Sequence, residues 1–112
     1  MANFISAIYI DSDNQRVTEV DIDNSNLPSE VLSALNCDII DKLLLNLDHY
    51  LIFDKEGLLL SEPKGFRLGT KIFAGNGLIL RTTTEGAWVS VSLTPTELDI
   101  KFLDEQALSL SL

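Results

Sequence analysis

The chain has 112 residues, 46% of them hydrophobic, a net charge of −9 and one cysteine. That size and apolar content suit a single domain over residues 1–112 with a buried core, and the lone Cys37 excludes an internal disulfide. The acidity argues against broad nucleic-acid binding, which needs Lys and Arg clustered against phosphates.

No apolar run reaches the roughly 20 residues of a membrane-spanning helix, and Met1-Ala2-Asn3-Phe4 lacks a basic region ahead of an apolar stretch. A cytoplasmic protein without a membrane partner is therefore expected. The charge is uneven. Residues 1–54 carry ten acids and two bases, residues 55–81 two acids and five bases, and residues 82–112 five acids and one base. The central bases are Lys55, Lys64, Arg67, Lys71 and Arg81. A solvated surface balancing acids elsewhere is the plainer account of them.

Phe4 to Ile10 is rich in β-branched and aromatic residues, and Arg16 to Ile22 alternates apolar with polar over most of its length. The Asp11-Ser12-Asp13-Asn14-Gln15 between them reads as a hairpin loop, because Asp, Asn and Ser bond their own backbone. Val17, Val20 and Ile22 do not fit one face, so either a bulge follows Val17 or the inward register starts at Thr18. Asn24 to Pro28 breaks the sheet and, with Glu30, opens a helix. Its end is open: Val31, Leu35, Ile39, Leu43 and Leu47 recur every four residues as a long helix would, yet Ile39 to Leu45 also suits a buried strand.

Tyr50-Leu51-Ile52-Phe53, Asp54-Lys55-Glu56-Gly57 and Leu58-Leu59-Leu60 predict a hairpin. A loop with Pro63 and Gly65 leads to a strand at Thr70 to Ala74. Gly75-Asn76-Gly77 either turns the chain into Leu78 to Arg81 or bulges one continuous strand. After a turn at Thr82 to Gly86, Ala87 to Leu93 alternates, placing Trp88 on the face opposite Val89 and Val91. Thr94-Pro95-Thr96-Glu97 matches a capping box and predicts a C-terminal helix, although Leu98 to Phe102 alternates like a strand. Ala107 to Leu112 alternates Leu with Ser and either frays or adds a strand to a partner's edge.

Few residues carry chemistry. Asp11 to Gln15 resembles the start of a calcium loop, but Arg16 stands at the obligatory Gly and Ile22 at the bidentate Glu. Gly75-Asn76-Gly77 lacks the third Gly and the helix of a dinucleotide fingerprint. Cys37 and His49 are the only thiol and imidazole, too few for a zinc site, and form a nucleophile–base pair only if the fold brings them together. Trp88 anchors an interface if no helix covers its face, though packing under a helix is the plainer expectation. Phe66, between Gly65 and Arg67, either anchors its loop or is a second aromatic for binding, with Lys64 and Arg67 beside it to clamp an anion or stack on a base.

A short helix through Val31 to Leu35, then Ile40-Asp41, Leu51-Ile52-Phe53-Asp54-Lys55-Glu56-Gly57, Ile72-Phe73-Ala74-Gly75 and Val91-Ser92-Leu93-Thr94 occur in that order. From Leu32 to Thr94 this resembles a domain-of-unknown-function family of small proteins of phages, plasmids and conjugative elements. The resemblance implies a pair of strands ending at the Glu-Gly turn, a strand ending in Ala-Gly, and a final Thr-capped helix, and it favours the short first helix. Where that family carries Asn-x-x-Ala after the Glu-Gly turn, this chain has Leu60-Ser61-Glu62-Pro63-Lys64-Gly65.

The expectation is an α+β fold, a mainly antiparallel sheet of about six strands with a short internal helix at 28–36 and a C-terminal helix at 95–106. No catalytic residue, metal or cofactor is expected. The resemblance implies a non-enzymatic accessory protein of phage or mobile-element type that inhibits a host defence or nucleic-acid enzyme by protein contact. An acidic face of Asp11, Asp13, Glu19, Asp21 and Asp23 would meet a basic groove. The alternative is a small-ligand module, dimeric, in which Lys64, Arg67, Lys71 and Arg81 converge on an anionic metabolite or nucleotide, with Phe66 and Trp88 as apolar contacts.

Overall fold

The computed structural model describes residues 3–27, 29–37, 39–46, 48–56 and 63–111. Strands β1 (Phe4–Asp11) and β2 (Arg16–Asp23) pair antiparallel without a break from Phe4↔Asp23 to Asp11↔Arg16. Ile5, Ala7 and Tyr9 share a face with Ile22, Val20 and Thr18, so the inward register starts at Thr18 and Val17 packs on the opposite face. The loop is polar and local: Asn14 donates to the Asp11 carboxylate from its backbone and its side chain, and Gln15 takes a left-handed φ of 54°.

Asp23 caps a 3₁₀ turn at Asn24–Asn26, and helix α1 (Ser29–Leu35) follows; Pro28, expected at its start, lies outside the described residues. Asn36 ends the helix with a φ of 52°, its amide bonding the Ser33 carbonyl while the Cys37 amide bonds that of Leu32. This is a Schellman closure, with Asn in the place glycine usually takes. The following apolar run is therefore strand β3 (Ile40–Leu44), paired antiparallel with β4 (His49–Asp54). The expected strand at Leu58 to Leu60 falls outside the described residues.

The remaining strands are β5 (Gly65–Leu68), β6 (Lys71–Ala74), β7 (Gly77–Thr82), β8 (Trp88–Val89) and β9 (Ile100–Leu103), with helix α2 at Glu105–Ser111. One sheet has the order β2-β1-β7-β4-β3, with β8 added beside β7 where β1 leaves off; the other has the order β6-β5-β9, and all the pairs are antiparallel. Gly75-Asn76-Gly77 neither turns a hairpin nor bulges a strand, because β6 and β7 belong to different sheets and the segment carries the chain between them. Ser12 anchors that crossing: its hydroxyl donates to the Gly75 carbonyl at 2.5 Å and its amide to Asn76 Oδ1 at 2.8 Å.

The C-terminal helix does not begin at Pro95. Thr94 donates its amide to Glu97 Oε2 at 3.0 Å, yet Pro95–Glu97 makes only one 3₁₀ turn. The alternation of Leu98 to Phe102 prevails, because as β9 it sends Ile100 and Phe102 into the core between the sheets and pairs with β5. Asp104 then starts α2, accepting from the Ala107 amide through its side chain and from the Leu108 amide through its carbonyl.

Both faces of the large sheet are covered. Ile5, Ala7, Ile22, Ile52, Leu78 and Leu80 meet Val31 and Leu35 of α1 on one side, while Ile8, Ile10, Leu51 and Ile79 meet Phe66 and Phe73 of the small sheet on the other. Phe73 lies between Phe66 and Phe53, with ring centroids 5.3 and 4.8 Å away. Among the described residues no helix is long and apolar enough to cross a membrane.

The sheets pack tightly at Gly77, where a Cβ would stand 2.9 Å from both Leu51 Cδ1 and Phe66 Cζ. Both neighbours are fully buried and have little room to yield. Gly77→Ala is therefore expected to destabilise the chain by about 1–3 kcal/mol in urea unfolding, while Gly69→Ala or Gly86→Ala, where an added Cβ meets nothing, would act through backbone angle alone.

Candidate functional site

With seven residues, α1 cannot cover the whole face of the sheet it packs on. It seals the β1 and β2 side, where Val31 and Leu35 are buried, and leaves an apolar cavity of about 400 Å³ toward β3. Ile52 and Leu80 line it from the sheet, Leu27 and Val31 from the α1 side, and Ile40, Asp41, Lys42 and Trp88 complete the wall. Trp88 is half-buried and set edge-on to Tyr50, with centroids 6.4 Å apart and planes at 73°. Lys42 stands over the outer side of Tyr50, its Nζ 5.2 Å from the ring centroid, so a cation sits at the apolar rim.

The strand that carries Ile40 and Lys42 is also the last of its sheet. Leu45 donates its amide to the His49 carbonyl, and Lys55 donates to that of Ile39, which fixes the odd residues of β3 as those bonded to β4. Ile40, Lys42 and Leu44 consequently turn their peptide groups outward. The outward amide of Lys42 is taken by its neighbour's carboxylate, Asp41 Oδ1, at 2.8 Å. Those of Ile40 and Leu44 have no acceptor among the described residues. Ile39 and Leu44 are 47% and 52% exposed, two of only four large hydrophobic residues so exposed among those described.

A second constellation looks catalytic. His49 is buried, its Nδ1 lies 2.9 Å from Asp48 Oδ1 and 3.1 Å from Asn46 Oδ1, and its Nε2 lies 3.4 Å from Ser92 Oγ. The backbone amide of Ser92, however, donates to Nε2 at 3.2 Å. That assigns the ring hydrogen to Nδ1 and occupies the lone pair that a general base would use to take the hydroxyl proton. The imidazole instead ties the β3–β4 turn to the segment after β8. Arg81 Nε holds Asp48 Oδ2 at 2.8 Å, and this hydrogen bond keeps the Asp48 carboxyl below its ordinary range. His49→Ala should then cost about 2–3 kcal/mol of stability in thermal or urea unfolding, whereas Ser92→Ala, which keeps the amide, should change it by less than about 0.5 kcal/mol.

The remaining expected residues are dispersed. Cys37 packs toward α1, on the opposite face of the sheet from His49, so the two do not meet. Phe66 is not a loop residue open to a ligand: β5 makes it a strand residue, and its ring is fully buried against the large sheet. Lys64 lies beside α2, Arg67 on the outer face of β5, Lys71 at the edge of β6 with its side chain on the other face, and Arg81 on the large sheet with Asp48. These four bases do not converge.

Of the acids, Glu19, Asp21 and Asp23 share one face of edge strand β2, Asp11 lies on the other face, and Asp13 sits in the turn. Asp23 is held below its ordinary value by hydrogen bonds from the Ser25 hydroxyl and amide. Tyr9, near Asp11 and Asp13, is pushed above its ordinary value by burial first and by those charges second, and its hydroxyl accepts from Asn76 Nδ2 at 3.0 Å. The rim residues Ile40 and Lys42 were not singled out from the sequence. The signal was the Asp41-Lys42 pair, charges interrupting an apolar run as they do on edge strands.

Comparison with protein-family models, with curated proteins and with solved structures found no match to this chain.

Proposed function

We propose that this chain is a small acidic, non-enzymatic binding module that takes an extended segment of a partner protein as an added strand on β3. The observation that carries this reading is the coincidence of an open strand edge with an apolar cavity on one side of the same strand. Main-chain hydrogen bonds along such an edge supply affinity, and a pocket for an alternate side chain supplies specificity. The incoming segment would bond to Ile40 and Leu44 and set an apolar side chain toward Trp88. An acidic residue opposite Lys42 would release that amine from Tyr50 or bridge to it. The Asp41 and Lys42 charges limit the edge to matching partners instead of indiscriminate pairing.

The wider reading rests on the resemblance to small proteins of phages and mobile elements: a cytoplasmic accessory protein whose partner is a host defence or nucleic-acid enzyme. The same β3 edge would serve a homodimer if a second copy took the partner's place. Loss of the acids on β2 would leave the β3 contact intact in this reading, which separates it from a DNA-mimicking acidic face.

The test uses peptides selected from a random display library against the whole chain. Leu44→Pro removes one outward N–H that the sheet does not use, so folding should be retained, as proline is tolerated on an edge facing solvent. Peptide affinity should fall at least tenfold in Leu44→Pro and in Trp88→Ala, with bound peptide slowing hydrogen exchange at Ile40 and Leu44. Equal binding to wild type and Leu44→Pro would overturn the reading.

A further inference from the structure

The outer face of the small sheet presents a different problem. β5 lies between β6 and β9, and its Arg67 stands directly opposite Ile72 on one side and Lys101 on the other. Phe66, Phe73 and Phe102 of the same strands pack toward the large sheet, so Arg67 and Lys101 project the opposite way. Helix α2 packs on all three strands, and Leu103 is buried there, but Lys101 two residues earlier is exposed.

Two like charges directly opposite on neighbouring strands repel each other. Nothing described relieves them: neither side chain has an ion pair, and Arg67 Nε is buried without a hydrogen-bond partner among the described residues. A buried donor left unpaired carries the full cost of its desolvation. The chain has 17 acidic residues against 8 basic ones, yet no acid ion-pairs with these two bases among the described residues.

We propose that Arg67 and Lys101 form an anion site for a phosphate group. The planar guanidinium offers a fork of donors matched to two oxygens of one oxyanion, and the ammonium adds a second point charge, so two positive charges meet a dianion. The anion meets the partly exposed end of the Arg67 side chain and removes the cross-strand repulsion. Ile72, partly exposed beside Arg67, gives the site one apolar wall. The site lies on the outer face of the small sheet and does not depend on the β3 edge, so either proposal can fail without the other.

The experiment is an amide and arginine Nε–H NMR titration of the whole chain at low ionic strength, with inorganic phosphate, phosphoserine and a nucleoside 5′-monophosphate in separate arms. Saturable shifts centred on Arg67 Nε–H and the Lys101 amide are expected in all three arms if the phosphate group alone is read, and a tighter arm names the source. Lys101→Ser, an exposed change that should leave the fold intact, should weaken binding at least tenfold, and Arg67→Gln should do the same. Lys71→Ser, whose side chain is on the opposite face, should bind as wild type. No saturable shift at Arg67, or full retention of binding by Lys101→Ser, would overturn the proposal.

Discussion

The fold is governed by the need to cover strand β7 on both sides. Leu78, Ile79 and Leu80 are each fully buried, and because successive side chains alternate, no single layer can shelter them. One face is met by α1 and the other by the small sheet, with Gly77 keeping the second contact close enough for Phe66 to sit against the strand. The polar ties reinforce this arrangement. Ser12 and Asn76 fix the crossing that delivers β7 from the small sheet, and His49 fastens the segment that leaves β8.

The candidate site follows from how little of its face α1 covers. A helix of seven residues does not span the sheet, and the cavity bounded by Trp88, Leu80, Ile52 and Ile40 lies beside its first turn, which contributes Val31. Because the uncovered side is also the β3 side, the cavity adjoins an open backbone edge. The four-residue repeat from Val31 to Leu47 would allow a longer helix, but Asn36 takes the left-handed conformation that closes α1 and frees the following run to form the β3 edge.

Much of the architecture could be read from local chemistry. The first hairpin, the β4 strand and the α+β class follow from alternation, turn residues and apolar runs, whereas periodicity left the end of the first helix open; the structure is a mainly antiparallel large sheet of six strands with a short internal helix and a C-terminal helix. What could not be read was decided at long range. The capping box at Thr94 is a sound local helix start, but Ile100 and Phe102 contribute more by filling the space between two sheets. Phe66 looked like a loop residue because Gly65, Arg67 and Gly69 around it break the usual strand pattern; its burial depends on Gly77, 11 positions later. The Arg67–Lys101 juxtaposition joins residues from the basic centre and the acidic end of the chain, and only the β5–β9 register brings them together.

The sheet is closed around β7 and open at β3, and residue-resolved hydrogen exchange on the free chain tests both halves at once. The amides of Leu78, Ile79 and Leu80 should exchange slowest, and protection along β3 should alternate, slow at Asp41 and Leu43 and fast at Ile40 and Leu44. Uniform protection from Ile40 to Leu44 would contradict the account, because it would mean that the edge is already paired.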